Sequence, residues 1–226
     1  MKNLSYVTLV LALFISAGSR TVCAQSIELN HQAILEVHNA ITKPDDYRGK
    51  HSMEVRDASP SLGDDASRMV VLKGAWLQDG VIEVTLAGDT APDAPVNLRG
   101  FVGIAFRIGS DRTHYECFYL RPKNGRSADP VQRTHSTQYI SEPEYPWDKL
   151  RSETPGKYES YVDIAPAEWI KVRIQISGKT ASLFVNGATQ PTLVVNDLKG
   201  TVDEGPIALW VGPGTVAHFT DLKITK

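Results

Sequence analysis

The sequence predicts an all-β protein whose antiparallel strands pack into a single sandwich. Apolar and polar residues alternate with a period of two in several short segments, as they do in strands with one buried face. Gly, Pro and Asn separate these segments, and no segment has the apolar periodicity of a helix of three turns. Many strands without intervening helices favour an antiparallel sandwich or barrel over a parallel sheet.

The first 24 residues predict an export signal rather than part of the fold. Lys2 precedes an apolar stretch from Val7 to Ile15, and small residues follow up to Ala24. A positive start, a short apolar core and a small-residue cleavage site are typical of secretory signal peptides. We therefore expect cleavage near Ala24, one sandwich domain over residues 25–226, and a secreted or periplasmic location.

Composition argues against several classes of partner. Removal of residues 1–24 leaves 22 basic and 26 acidic side chains, a net charge of −4, which favours neither nucleic acid nor anionic membranes. No later segment has the roughly 20 apolar residues of a transmembrane helix. Only Cys117 would remain, so no intramolecular disulfide is expected. A lipid anchor at Cys23 is the less favoured alternative, because Val22 stands where lipoprotein signals have a small residue.

The strand pattern is clearest in five segments, at 80–88, 100–108, 169–176, 181–185 and 205–211. Residues 177–180 supply a turn between the third and fourth, and Asn186-Gly187 is a strong tight-turn dipeptide after the fourth. Alternation along the strands gives the expected core, which includes Ile104, Phe106, Ile170, Val172, Ile174, Leu209 and Leu222.

These segments carry a family resemblance. RGFVGIAFRI, HYECFYLRP, EWIKVRIQISG, ASLFVNG and GPIALWVGPGTVAHFTDLKI resemble the concanavalin A-like lectin/glucanase superfamily and, within it, are similar to the 3-keto-disaccharide hydrolase domains. The likeness covers residues 78–226. It implies a jelly-roll β-sandwich with a glycan groove on its concave sheet, and it makes calcium a possible ligand. Such relatives include enzymes and pure binders, so the fold does not decide the function.

The glucanase motif of that superfamily is missing. Glucanases have a Glu-x-Asp-x-x-Glu strand whose carboxylates flank the bond to be cleaved, and this chain has no such strand. Glu142 and Glu144 stand beside Pro143 and Pro146, which predicts a loop. The sequence therefore argues against a retaining or inverting glucanase mechanism.

Strand alternation gives a first set of candidate ligand-binding residues. If Ile104 enters the core, then Gly103, Ala105 and Arg107 face outward, and the two small residues leave room for a ligand. Trp210 likewise faces outward from its own strand. An aromatic platform beside arginine donors suits a sugar, although Trp210 could instead pack under a loop.

The phase of residues 115–121 stays open, because Tyr115 and Tyr119 lie on one face of this strand and Glu116 on the other. An unpaired carboxylate in the core is unfavourable, so Glu116 faces outward or pairs with a cation such as Arg107. We expect Arg107 and Glu116 on adjacent strands of one hairpin, within reach of each other on the concave face. The alternative is a purely structural salt bridge.

Residues 118–139 turn from apolar to polar and cationic. Residues 132–139 are polar in both phases, which predicts a strand facing solvent or a ligand, after a turn at Asn124-Gly125. The loop SEPEYPWDKL holds Trp147 either over the groove mouth or as a plug at the open end of the sandwich. The candidate ligand-binding residues are Arg107, Glu116, Arg121, Asn124, Arg126, His135, Tyr139, Trp147 and Trp210. An ion-paired surface is the alternative for the arginines.

Metals and cofactors are not predicted. His31, His38, His114 and His135 lack the partners that a zinc site needs. Calcium rests on the resemblance alone, and Gly63-Asp64-Asp65 is the one acidic loop that could contribute ligands.

Three functions stay open. The first is a secreted carbohydrate-recognition domain. The second is a sugar-processing enzyme that uses Glu116 or His135 as general base, and the third is a structural domain without a small ligand.

Overall fold

The computed structural model describes residues 24–58, 63 and 66–226, which form two antiparallel β-sheets packed face to face. The predicted antiparallel sandwich is confirmed. Residues 1–23 of the predicted signal peptide (residues 1–24), the alternative anchor position Cys23 and the acidic pair Asp64-Asp65 lie outside the described residues. Within the described part of the chain, no helix has the length and apolar character needed to cross a membrane.

The described residues form fifteen strands and three short α-helices. The strands are β1 (Ala24–Ile27), β2 (Ile34–His38), β3 (Ala40–Tyr47), β4 (Lys50–Asp57), β5 (Met69–Leu77), β6 (Gly80–Thr90), β7 (Val102–Phe106), β8 (Tyr115–Leu120), β9 (Thr137–Glu142), β10 (Glu159–Ser160), β11 (Ile170–Ser177), β12 (Thr180–Val185), β13 (Leu193–Val195), β14 (Gly205–Val211) and β15 (Thr215–Thr225). The helices are α1 (Pro122–Gly125), α2 (Pro130–Arg133) and α3 (Trp147–Glu153), and a 3-10 turn spans His31–Ala33.

The chain passes back and forth between the two sheets. The first sheet has the order β13-β12-β11-β6-β15-β4-β3, with β1 paired to β15, and the second has the order β10-β9-β8-β7-β14-β5-β2. The buried apolar side chains form one core cluster. It contains all seven residues that the alternation predicts: Ile104, Phe106, Ile170, Val172, Ile174, Leu209 and Leu222.

The hairpin of β11 and β12 shows how local sequence sets the topology. Ile174 and Ile176 face the core while Gln175 between them is exposed, as the period of two requires. The two strands pair from Val172↔Val185 to Ser177↔Thr180. Gly178, at φ +55°, adopts in the turn a backbone conformation that other residues rarely take.

Residues 122–153 differ from the sequence prediction. The expected strand over 132–139 starts only at Thr137, because Pro130 opens a helical turn and the Asp129 side chain caps it by accepting from Val131 N at 2.8 Å. Asn124-Gly125 ends a second helical turn. Trp147, expected in a loop, is the first residue of α3.

Candidate functional site

A pocket of about 310 Å³ lies on the outer face of the second sheet. Its floor comes from alternate positions of adjacent strands, which face away from the core because Phe118 and Leu209 between them face inward. The floor residues are Tyr115 and Tyr119 of β8, Ile140 and Glu142 of β9, and Trp210 of β14. Residues 97–101, the segment with α1 and α2, and α3 supply its walls.

Two aromatic side chains stack across a glycine in this floor. Trp210 and Tyr119 are both paired with Gly103, one from each side, and their ring centroids are 4.9 Å apart at 28° between planes. A Cβ at Gly103 would lie 2.2 Å from Phe118 O and 2.6 Å from Tyr119 Cβ. The space beside Gly103, expected for a ligand, is therefore filled by Tyr119. The aromatic pair forms the platform instead, with Phe101 packed edge-on against Tyr119.

Arg121 is fixed against this platform. Its Nη2 donates to the Tyr119 hydroxyl at 2.8 Å and to Gln138 Oε1 at 3.2 Å, and its Nη1 donates to His135 O at 3.1 Å. The guanidinium carbon lies 5.0 Å from the Tyr119 ring centroid. Burial lowers the pKa of Arg121 from its usual value and raises the pKa of Tyr119 to about 12. The pocket thus contains an immobilised cation in contact with an aromatic hydroxyl.

A second charged group joins α3 to the sheet. Arg151 Nη2 donates to Glu159 Oε2 at 2.7 Å, and its guanidinium carbon lies 4.8 Å from the Trp147 ring centroid. His135 Nδ1 lies 2.8 Å from the same Glu159 oxygen. Desolvation by burial lowers the pKa of His135, which favours its neutral imidazole. The carboxylate of Glu159 therefore holds both walls of the pocket in place.

Asn124 contributes a polar atom that is buried without a partner. Its Nδ2 donates to His135 O at 3.0 Å, which fixes the orientation of the amide. Its Oδ1 is buried in the pocket lining and has no hydrogen-bond partner among the described residues. A buried acceptor without a donor costs about 1–3 kcal/mol. Because Asn124 lines the pocket, a ligand hydroxyl or a water molecule that reached this oxygen would remove that cost.

Arg107 and Glu116 pair as expected, but they do so between the sheets. The predicted hairpin of β7 and β8 is present, and Arg107 Nη1 lies 3.4 Å from Glu116 Oε2. The expected placement on the concave, ligand-facing side is wrong, because Glu116 has the inward phase of Phe118. Arg107, at φ +50°, breaks the alternation of β7 and donates to Gln78 O and Gly178 O at 2.8 Å each.

The remaining candidates also lie apart from the pocket. Tyr139 is fully buried, and its hydroxyl donates to Glu116 Oε1 at 2.8 Å. Arg126 is exposed and lies 2.7 Å from Asp163 and 3.9 Å from Glu168, which fits the ion-paired alternative. Of the nine candidates, the pocket lining brings together Arg121, Asn124, His135, Trp147 and Trp210.

Several lining residues were missed by the sequence analysis. Tyr115 and Tyr119 have the same strand phase, and that phase was left open although aromatic residues four apart were a usable signal. Glu142 was assigned to a loop, but it is the last residue of β9. Arg99 and Arg151 come from a loop and a helix that contribute to the pocket only through the tertiary fold.

Two clusters of titratable side chains lie outside the pocket. His114 contacts Asp111 through Nδ1 and lies 3.2 Å from Glu144 through Nε2, so both ring nitrogens are engaged. The hydrogen bond with Asp111 raises the pKa of His114. One group of three side chains among the described residues has metal-ligand spacing: Asp45, Glu54 and His218, on the first sheet.

Two solved structures share this architecture. The carbohydrate-binding module CBM66 from Bacillus subtilis has a TM-score of 0.54 and 13% identity, over 84% of this chain and 97% of that chain. A prokaryotic β-1,3-1,4-glucanase (lichenase) derived from a mouse hindgut metagenome has a TM-score of 0.52 and 13% identity, over 92% of this chain and 99% of that chain. The fold is concanavalin A-like.

These similarities establish the fold and do not place the chain in a narrower family. No family model matches the chain, and no curated protein matches it. The resemblance to the superfamily is confirmed at the level of fold, whereas the likeness to 3-keto-disaccharide hydrolases stays a prediction.

Proposed function

We propose that the protein is an exported carbohydrate-binding protein that holds a sugar in the pocket on the outer face of the second sheet. The observation that carries this proposal is the buried, unpaired Asn124 Oδ1 in the wall of a pocket whose floor is the Trp210–Tyr119 stack. A pyranose ring offers a face of C–H bonds for the aromatic floor and a rim of hydroxyls for the polar wall.

The size and charge of the pocket indicate which class of sugar it would bind. A volume of about 310 Å³ is at the lower end of the range for small-molecule sites and suits a mono- or disaccharide unit. The arginines in the wall already have acceptors, since Arg121 binds Gln138 and Arg151 binds Glu159. Arg99, the third arginine of the lining, donates to Val96 O and Leu98 O, so all three guanidinium groups are engaged and a neutral sugar fits better than an anionic one.

The two similar structures support this proposal at the level of the fold. One of them is a carbohydrate-binding module and the other is a glucanase. At 13% identity they show that this fold supports sugar binding elsewhere, and they do not specify a ligand for this chain. The predicted signal peptide agrees with an exported protein that meets glycans outside the cytoplasm.

The test is a panel of neutral and anionic mono- and oligosaccharides, with affinities measured by isothermal titration calorimetry. Asn124→Ala should weaken binding of the best ligand about tenfold, as loss of one hydrogen bond of about 1.4 kcal/mol implies. Asn196→Ala is the matched control, because Asn196 is exposed beyond β13 and does not line the pocket. If no sugar binds, the structural-domain alternative replaces this proposal.

Catalysis in the same pocket is the second candidate. A histidine that burial keeps neutral, beside the carboxylate of Glu159 and in the same pocket as Glu142, has the form of a general base. His135→Gln should then abolish release of products while binding persists, as chromatography of the incubated sugars would show. Binding of intact sugars by the wild type without any product would exclude this second candidate.

A further inference from the structure

We propose a transition-metal site on the outer face of the first sheet, formed by Asp45, Glu54 and His218. One ligand atom from each side chain lies within 4.8 Å of the other two. The cluster is on the opposite sheet from the sugar pocket, so this inference does not depend on the proposed function.

Three adjacent strands position the three side chains. Glu54 of β4 is paired with His218 of β15, and Lys43 of β3 is paired with Glu54. Asp45, two residues beyond Lys43, therefore faces the same side of the sheet. Side chains from paired strands have little freedom to separate, which makes the cluster a rigid feature of the fold. Because His218 is far from Asp45 and Glu54 in sequence, no motif spacing could reveal the set.

His218 gives an independent sign that the cluster lacks a partner. The residue is 6% exposed, and its buried Nδ1 has no hydrogen-bond partner within the described part of the chain. That nitrogen faces the cluster, 3.4 Å from Asp45 Oδ2. The ring is held by Tyr47, stacked at 3.8 Å between centroids and 3° between planes. A metal ion bound to Nδ1 would satisfy this buried atom.

The donor set selects the class of metal. One imidazole and two carboxylates suit Zn²⁺ and similar transition metals, whereas calcium prefers oxygen ligands throughout. Three protein ligands leave a fourth position for water.

The proposed metal site is open to solvent on one side, and the lysine Lys43 competes with a metal ion for the Glu54 carboxylate. The side chain of Asp45 is 32% exposed and lines a broad depression of about 1060 Å³, so an ion can reach it from solvent. The ligand atoms would move inward, since Zn–ligand bonds of about 2.0–2.1 Å place tetrahedral ligands roughly 3.3 Å apart. Lys43 Nζ lies 3.5 Å from Glu54 Oε2, and its side chain is 57% exposed, so it can swing away when an ion enters.

The first experiment titrates the purified, chelator-treated protein with Zn²⁺ by calorimetry and with Co²⁺ by visible absorption. We expect one Zn²⁺ per chain, and d–d bands from a low-coordinate Co²⁺. Asp45→Asn and His218→Gln should each weaken Zn²⁺ binding by more than about tenfold, the least that loss of an outer-shell partner costs. Lys43→Gln should tighten it, because the competing cation is gone.

The matched control is His51→Gln, since His51 is an exposed histidine paired with Asp46 on the same sheet but outside the cluster. Zn²⁺ should raise the melting temperature of the wild type and of this control, and it should leave the melting temperature of the Asp45→Asn variant unchanged. If His218→Gln fails to fold, the variants at the half-buried Asp45 and the exposed Lys43, Asp45→Asn and Lys43→Gln, decide the question. Absence of Zn²⁺ binding, or binding that neither Asp45→Asn nor Lys43→Gln alters, would overturn the proposal.

Discussion

Arg107 and Glu116 lie on neighbouring strands with 3.4 Å between Nη1 and Oε2, and both are buried at the end of the sandwich rather than in the pocket. Glu116 also accepts from Tyr139 OH at 2.8 Å and from Gly200 N at 3.0 Å. A carboxylate with this many donors joins the second sheet to the segment before β14. Its surroundings are those of a structural ion pair.

Glu116→Gln should therefore lower stability and leave sugar binding unchanged. We expect a loss of about 3 kcal/mol, at the lower end of the effect of removing one partner of a buried pair, because Arg107 keeps its carbonyl acceptors. Urea unfolding measures this loss. Glu83→Gln is the control, since Glu83 is 45% exposed and 3.8 Å from Lys223, and it should change stability by less than about 1 kcal/mol. Weaker sugar binding at unchanged stability would return Glu116 to the binding site.

Gly103→Ala should disturb the aromatic floor. The added methyl group would meet Phe118 O at 2.2 Å and Tyr119 Cβ at 2.6 Å, and neither can move without shifting β8. We expect a loss of about 1–3 kcal/mol in unfolding free energy, as overpacking in a close-packed region costs, together with weaker sugar binding. Gly109→Ala is the control, because the nearest atom to its added methyl group would be the side-chain atom Asp111 Oδ1, at 3.0 Å. Equal stability of the two variants would contradict this account of the floor.

The sequence predicted the strands well because each carries its own signal. The alternation of β11 and the turn after it depend on neighbouring residues, and they appear where expected. The phase of β8 has no such local signal, because both faces of this strand carry aromatic and polar residues and both Tyr115 and Glu116 are buried; only the tertiary fold decides which of them faces the other sheet.

The site was only partly predictable for the same reason. Arg121 and His135 were found because polar residues follow the end of a strand. Arg151 and Glu159 were not, because a helix and a two-residue strand bring them to the pocket only in the folded chain. The capping of α2 by Asp129 was a local signal that the strand interpretation of residues 132–139 overrode.

His135 should make stability depend on pH. Because burial lowers its folded pKa below the usual 6.5, the unfolded chain binds more protons than the folded chain below about pH 6.5. Stability therefore rises with pH across this window and is lost as pH falls. Urea unfolding at about pH 7.5 and about pH 5.5 should show a smaller loss on acidification for His135→Gln than for the wild type, by less than about 1 kcal/mol.

His114 should affect the pH dependence of stability in the opposite direction, and it serves as the comparison. Its pKa is raised by Asp111, so its contribution is present below the unfolded pKa and is lost as pH rises through the folded one. His114→Gln should therefore lose more stability on acidification than the wild type. A larger loss for His135→Gln than for the wild type would show that His135 is protonated in the folded pocket.

Trp147→Ala should separate the two roles that the sequence left open for this residue. The side chain is 37% exposed, lines the pocket, and lies over Arg151 and Arg121 with guanidinium carbons 4.8 and 5.9 Å from its ring centroid. If Trp147 closes over a sugar, its truncation should weaken sugar binding about tenfold, as truncation of hot-spot aromatic residues does, while the melting temperature stays close to that of the wild type.

Trp76→Ala is the matched control, because Trp76 is 46% exposed on β5 and lies outside the pocket lining. Calorimetry with the best sugar and thermal unfolding of both variants give the two readouts. Lost stability with unchanged affinity would instead assign Trp147 to plugging the end of the sandwich, since a side chain that only fills space contributes to folding and not to the ligand.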